Sequence, residues 1–161
     1  MPSGFHLRFA TQDVRKWALR YASDDDQPVV RLGAAARARG HLNDEDLRVL
    51  ARWKTPRSAS RIARNGAEFV RDTTRVALST GGERLRIEVL TLLDGVDWPT
   101  ASVILHFAHA QRYPILDYRA LWSIGVSAAP SVARPRTMIF RRLIFSLRKM
   151  MDRTATKVGQ R

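Results

Sequence analysis

The sequence predicts an all-α fold, and three observations carry that reading. Apolar residues recur at three- and four-residue spacings from Thr11 to Leu121, the period of a helix with one buried face. Gly, Pro, Asn and Asp interrupt this pattern at short intervals, and no segment alternates in the manner of a half-buried strand. The 161 residues are 45% hydrophobic and 27% charged, enough apolar content for one domain with a buried core rather than a disordered chain. No internal repeat is present.

In chain order, Thr11 is the expected N-cap of a first helix whose stripe is Val14, Trp17, Ala18 and Tyr21, ended by the run Asp24 to Pro28. A second helix over about 29–39 stops at Gly40. Asn43, followed by Asp44, Glu45 and Asp46 in the first turn, starts a third that runs through Leu47, Val49, Leu50 and Trp53. Thr55-Pro56 breaks the pattern, a short helix over about 57–64 ends at Asn65-Gly66, and another over about 67–78 carries Phe69, Val70 and Val76. After Gly81-Gly82 come a helix of about 83–93 (Leu85, Val89, Leu90, Leu92, Leu93), the turn Asp94-Gly95-Val96-Asp97, and a helix of about 98–109. A last helix spans about 118–124, giving a helical domain over 1–125.

The formal charge of +13 favours a polyanionic partner, nucleic acid before an anionic membrane surface. Residues 126–161 hold nine Lys and Arg against Asp152 alone, so this basic segment supplies +8 and the preceding domain only +5. The segment includes Arg134-Pro135-Arg136 and an Arg-studded apolar run from Met138 to Met151, and its ending reads as disordered. Absence of cysteine removes disulfides, thiol nucleophiles and iron–sulfur clusters. No apolar run approaches a membrane span, and the N-terminus lacks the apolar core of a signal peptide, so a cytoplasmic monomer without membrane contact is expected. Arg outnumbers Lys 24 to 4, which suits phosphate contacts and equally a GC-rich genome.

The informative stretch is Leu92-Leu93-Asp94-Gly95-Val96-Asp97-Trp98-Pro99-Thr100-Ala101-Ser102-Val103-Ile104-Leu105, followed by Tyr113-Pro114-Ile115-Leu116-Asp117-Tyr118-Arg119-Ala120-Leu121. An apolar helix, a hairpin with Gly95 free to take a positive φ, and a second helix with Pro99 at its start read as a helix-hairpin-helix over about 83–109. The amides of such a hairpin and the next helix N-terminus can face a phosphate, directly or through a monovalent cation, which positions DNA without reading its sequence.

Together these residues resemble the helix-hairpin-helix base-excision DNA glycosylase superfamily, and Pro114-Ile115-Leu116-Asp117 looks like the corresponding stretch of adenine DNA glycosylases. The resemblance covers about residues 89–125. It implies a multi-helix glycosylase-like fold, double-stranded DNA as partner, a nucleoid-associated location, and Asp117 as the catalytic carboxylate. It further implies DNA contacts from Gly95, Val96, Asp97, Trp98, Thr100 and Arg119. Where the superfamily has its second hairpin glycine this chain has Asp97, a carboxylate that costs phosphate affinity unless it holds a cation or caps the following helix. Where bifunctional members carry a Schiff-base lysine the chain has Pro99, which leaves monofunctional chemistry without strand cleavage and without a metal or other cofactor.

Hydrolysis of an N-glycosidic bond passes through a cation-like sugar, which a carboxylate beside C1′ stabilises while it orients or deprotonates the attacking water. The target base must leave the duplex and stack on something. Trp17, Trp53, Trp98, Tyr113, Tyr118 and Trp122 are the available rings, and Tyr118 and Trp122, which flank Asp117, are the candidate base pocket.

Blander readings stand beside these. Asp117 fits a helix N-cap, the hairpin fits an interhelical turn, and Trp98 fits core packing. His106 and His109, three apart on one helix, lack a third ligand and suit packing better than metal. Lys54, Arg57, Arg61 and Arg64 form either a DNA-facing strip or a solvated helix face. Beside monofunctional base excision, the sequence leaves two rivals: a non-catalytic helix-hairpin-helix DNA-binding protein, and a truncated or frame-shifted relative whose segment after Gly125 does not continue the domain.

Overall fold

The computed structural model describes residues 6–13, 15, 16, 19, 20, 26–111 and 113–125. Among them the chain is all-helical, as the periodicity predicts: a 3₁₀ turn at Thr11–Asp13, then α1 (Gln27–Arg39), α2 (Asp44–Lys54), a 3₁₀ turn at Pro56–Ser58, α3 (Ala59–Ile62), α4 (Ala67–Ser79), α5 (Glu83–Leu90), α6 (Trp98–Ala108) and α7 (Tyr118–Ser123). No described helix is long and apolar enough to cross a membrane. Of the expected first helix, Val14, Trp17, Ala18 and Tyr21 lie outside the described residues, as does the basic segment 126–161. Thr11 opens a 3₁₀ turn in which the Asp13 N–H donates to the Ala10 carbonyl.

Local chemistry explains the helix boundaries. Pro28 opens α1 instead of closing the segment before it, because a missing N–H costs nothing in a first turn. Gly40, at φ +76°, closes it. Asn43 and Asp46 form a capping box at the start of α2: the Asp46 N–H donates to Asn43 Oδ1 at 2.8 Å and the Asn43 N–H to Asp46 Oδ2 at 3.0 Å. Asp46 also pairs with Arg39, tying the end of α1 to the start of α2.

The core is organised around α6. Ala101 to Leu105 are all buried, as are Phe107 and Ala108, so this helix is apolar nearly all round and must be enclosed. Helices α1, α2 and α5 pack against it, and α4 packs on α5. A Cβ on Gly33 of α1 would fall 2.5 Å from the Phe107 carbonyl oxygen, so α1 meets α6 at a distance only glycine permits. Arg37, one turn on, donates to that same carbonyl at 2.9 Å.

Two stripes differ from expectation. On α4 the buried set is Val70, Thr73, Thr74 and Ala77, whereas Phe69 and Val76 are exposed. Thr74 earns its burial by hydrogen bonding: its hydroxyl donates to the Val70 carbonyl at 2.7 Å and accepts the Leu42 N–H at 2.9 Å. Helix α5 ends at Leu90 rather than about 93, and Leu85 and Leu92 face solvent while Ile87, Leu90 and Leu93 enter the core.

Substituting alanine for glycine inside a helix ordinarily stabilises by about 1 kcal/mol. The close approach at Gly33 reverses the sign: Gly33→Ala should destabilise by about 1–3 kcal/mol through overpacking, read as a lower urea midpoint. Gly81→Ala, with nothing within 4 Å of the new methyl, should leave the midpoint nearly unchanged.

Candidate functional site

The hairpin between α5 and α6 is held from inside and from one side. Leu93 and Val96 are buried beneath it, and the Val96 N–H closes on the Leu93 carbonyl at 3.0 Å. Gly95 has φ +79°, and a Cβ there would sit 3.0 Å from Arg61 Cβ and 3.1 Å from the Ile62 backbone nitrogen, so positive φ and close packing both call for glycine. Asn65 clasps the turn: its Nδ2 donates to the Asp94 carbonyl at 2.9 Å, and its Oδ1 accepts the Asp94 N–H at 2.8 Å. The sequence marks Asn65-Gly66 only as a helix stop; a side chain matching both polar groups of a residue 29 positions away carries no local signal.

Asp97 caps α6. Its Oδ1 accepts the Thr100 N–H at 3.1 Å and the Thr100 hydroxyl at 2.9 Å, so of the two roles open to this carboxylate the structure displays the cap. Thr100 is 1% exposed and spends its hydroxyl on Asp97, which corrects its assignment as a DNA contact. Val96 is buried too, so only its main chain can reach a ligand. Trp98 is half-buried against the core, the packing reading of that residue. Exposed Asp94 and Asp97 make the turn acidic, with exposed Arg61 and Arg64 on its flank.

Asp117 ends the loop that leaves the C-terminus of α6 and runs back along it, past His106 to Ser102. The loop leading to it is anchored by buried Tyr113 and Leu116. Ser102 of α6 accepts the Leu116 N–H at 2.9 Å and donates to the Pro99 carbonyl at 2.7 Å. The Tyr113 hydroxyl bonds to Glu83 at 2.8 Å and accepts from Arg86 Nη1 at 2.7 Å, while Arg86 also pairs with Glu83 and donates to the Thr80 carbonyl. His106 Nδ1 lies 2.6 Å from the Tyr113 carbonyl, which can only accept, so the ring proton sits on Nδ1. His109 stacks edge-on against Tyr113, and its Nδ1 accepts the Gln111 N–H at 3.0 Å. Both histidines thus serve loop packing, and no group of three or more His, Cys, Asp or Glu suited to a metal occurs among the described residues.

Each oxygen of the Asp117 carboxylate has its own partner. Oδ1 accepts the Ala120 N–H at 2.8 Å as the cap of α7, and Oδ2 receives Lys54 Nζ at 3.3 Å. Lys54, the last residue of α2, therefore leaves the surface strip proposed for it; its side chain is 15% exposed against 36% for Asp117, while Arg57, Arg61 and Arg64 stay in solvent. Burial pushes the Asp117 carboxyl upward, but the Ala120 N–H, the charge and hydrogen bond of Lys54 and the Arg119 N–H together outweigh it, holding the group below the ordinary carboxylate value. Asp117 is ionised at neutral pH and remains open to solvent on one side.

Among the described residues the rings beside Asp117 are open to solvent. Tyr118 is 67% and Trp122 56% exposed, four residues apart on the outer face of α7. Arg119 donates from Nε to the Tyr118 hydroxyl at 3.0 Å, and the Arg8 guanidinium lies 5.0 Å from the Trp122 ring centre. Among the described residues the two rings form an open aromatic shelf with cations against it. Of the remaining rings, Tyr113 is core, and Trp53 donates to Asp26 Oδ1 at 3.0 Å while packing edge-on against Phe107. Comparison with known proteins found no matching family model, no matching curated protein and no matching solved structure.

Two solution measurements probe this arrangement. Asp97→Ala should lower stability by about 1 kcal/mol while Asp97→Asn, which keeps a capping oxygen, should cost much less, both read by chemical unfolding. His109 is held below its ordinary value by burial and then by Arg86, with the Gln111 carbonyl, an acceptor for the ring N–H, opposing. The unfolded chain therefore takes up this proton first, so stability should be full above about pH 6.5 and fall as pH drops below it, and His109→Gln should flatten that slope.

Proposed function

We propose that this chain is a DNA glycosylase-like protein of base excision repair that hydrolyses the N-glycosidic bond of a damaged or mismatched base displaced from duplex DNA. The observation that supports it most is Asp117: an ionised, partly exposed carboxylate held at both oxygens, on a loop anchored to the helix that follows the hairpin. A carboxylate so fixed can face a sugar cation without reorganising, and it can orient a water toward C1′. The water oxygen bonds to C1′ as the bond from C1′ to the base nitrogen breaks, one water proton goes to the carboxylate or to solvent, and the base leaves with the electron pair. No lysine stands at the Pro99 position, so the reading remains monofunctional hydrolysis without a cofactor.

Tyr118 and Trp122 would offer stacking faces to the displaced base, and exposed Arg57, Arg61, Arg64 and Arg119 would meet phosphates. Capping by Asp97 moves the expected phosphate contacts away from the α6 N-terminus, which already holds a carboxylate, toward the Gly95–Val96 main chain and these arginines. A nucleoid-associated cytoplasmic location belongs to the same proposal.

The double engagement of Asp117 also favours a second reading, a non-catalytic DNA-binding module in which the Lys54 pair and the cap are simply structural. Single-turnover assays on duplexes carrying varied damaged or mismatched bases, developed with alkali, separate the two. The glycosylase reading expects base release by the native protein and a loss of about 10²–10⁴ in rate for Asp117→Asn, with duplex affinity retained. Binding without release, unchanged by Asp117→Asn, would establish the module instead.

A further inference from the structure

Lys54 is the one residue at the site that neither the helical pattern nor the fold calls for. It ends α2 immediately before Thr55-Pro56, where a lysine would ordinarily extend into water. Instead its side chain is largely covered and reaches a carboxylate 63 residues further along the chain. As a contribution to stability this pair is weak, because the Asp117 end stays in contact with solvent and ordering a long side chain costs entropy. An apolar side chain of similar length could fill the same channel without leaving a charge behind.

The contact does something for the carboxylate that the cap alone cannot. The N–H groups of Ala120 and Arg119 that reach the carboxylate both belong to the first turn of its own helix. Lys54, arriving from a different helix, holds Oδ2 and ties the carboxylate plane to α2. The other charged or titratable groups around Asp117 are Arg119, exposed on the same helix, and the Tyr118 hydroxyl, which accepts from Arg119. Neither donates a side-chain bond to Asp117, so among the described residues Lys54 is the side chain that ties the carboxylate to another helix.

We propose that Lys54 is a positioning residue for Asp117, fixing the orientation of its carboxylate from α2 toward the reacting sugar. This rests on the reading of Asp117 as the catalytic carboxylate, and it adds a residue that the hairpin-to-Asp pattern does not contain. Lys54 acts through Asp117 and needs no contact with the substrate.

The test follows the Asp117 side-chain carboxyl by carbon NMR across pH in the native protein, Lys54→Met and Lys54→Arg, with Asp117→Asn identifying its signal. Base release is measured over the same pH range. In Lys54→Met the Asp117 midpoint should rise and the acid limb of base release should rise with it. The rate on the acid side should fall by about tenfold for each unit of that shift, while duplex affinity stays within about twofold. Lys54→Arg, which keeps a donor and a charge, should restore the midpoint and most of the rate. Urea unfolding of Lys54→Met is expected to show no loss of stability, which separates positioning from a structural role. An Asp117 midpoint that does not move in Lys54→Met overturns the proposal, and so does an unchanged acid limb in an active protein. Absence of base release from the native protein, with a titration that still follows Lys54, defeats the glycosylase reading alone.

Discussion

Everything in this domain depends on hiding α6. Its middle five residues, Ala101 to Leu105, are without measurable exposure, and a helix apolar on nearly every side cannot rest at a surface. Three helices must surround it, and the tightest contact, Gly33 against Phe107, shows how closely they do. Polar groups in this core are bonded across elements, as with Thr74 between α4 and the start of α2, and Ser102 between α6 and the following loop, while Arg86 Nε is buried without a partner.

The same burial places the candidate site. The hairpin enters α6, and the loop that leaves it runs back along the helix, with Tyr113 at His106 and Leu116 at Ser102, so hairpin and Asp117 are both fixed to one buried helix. Asn65 secures the hairpin through Asp94, and the Glu83, Arg86 and Tyr113 cluster secures the loop. Lys54 then closes the arrangement from α2, so the geometry of Asp117 reports the packing of helices from opposite parts of the sequence. A carboxylate held in this way has little freedom to reorient when charge develops nearby, which is the property electrostatic catalysis asks of it.

Much of this was legible without coordinates because it is local. The capping box at Asn43, the glycine stops, the turn at Gly95 and the cap at Asp117 all join residues within four positions of one another. Periodicity identifies which residues can share a helix face but is weak where polar residues are bonded inside. Phe69 and Val76 read as core and are exposed, because Thr73 and Thr74 occupy the buried face of α4 in their place. Leu85 faces solvent because Arg86, Ile87 and Leu90 form the buried face of α5, and Leu92 does so because the helix ends at Leu90 and the turn that follows redirects the chain.

The sequence by itself determined the helical class, the hairpin with its glycine, and the position of Asp117 at the start of a short helix, since each follows from propensity, turn chemistry or an interaction spanning three or four residues. Only the tertiary structure decided that Asp97 spends its carboxylate on Thr100, that Tyr118 and Trp122 stand open to solvent, and that Asn65 and Lys54 belong to the site at all. Their partners lie 29 and 63 residues away, and a contact across that distance exists only once the enclosing of α6 has brought the segments together.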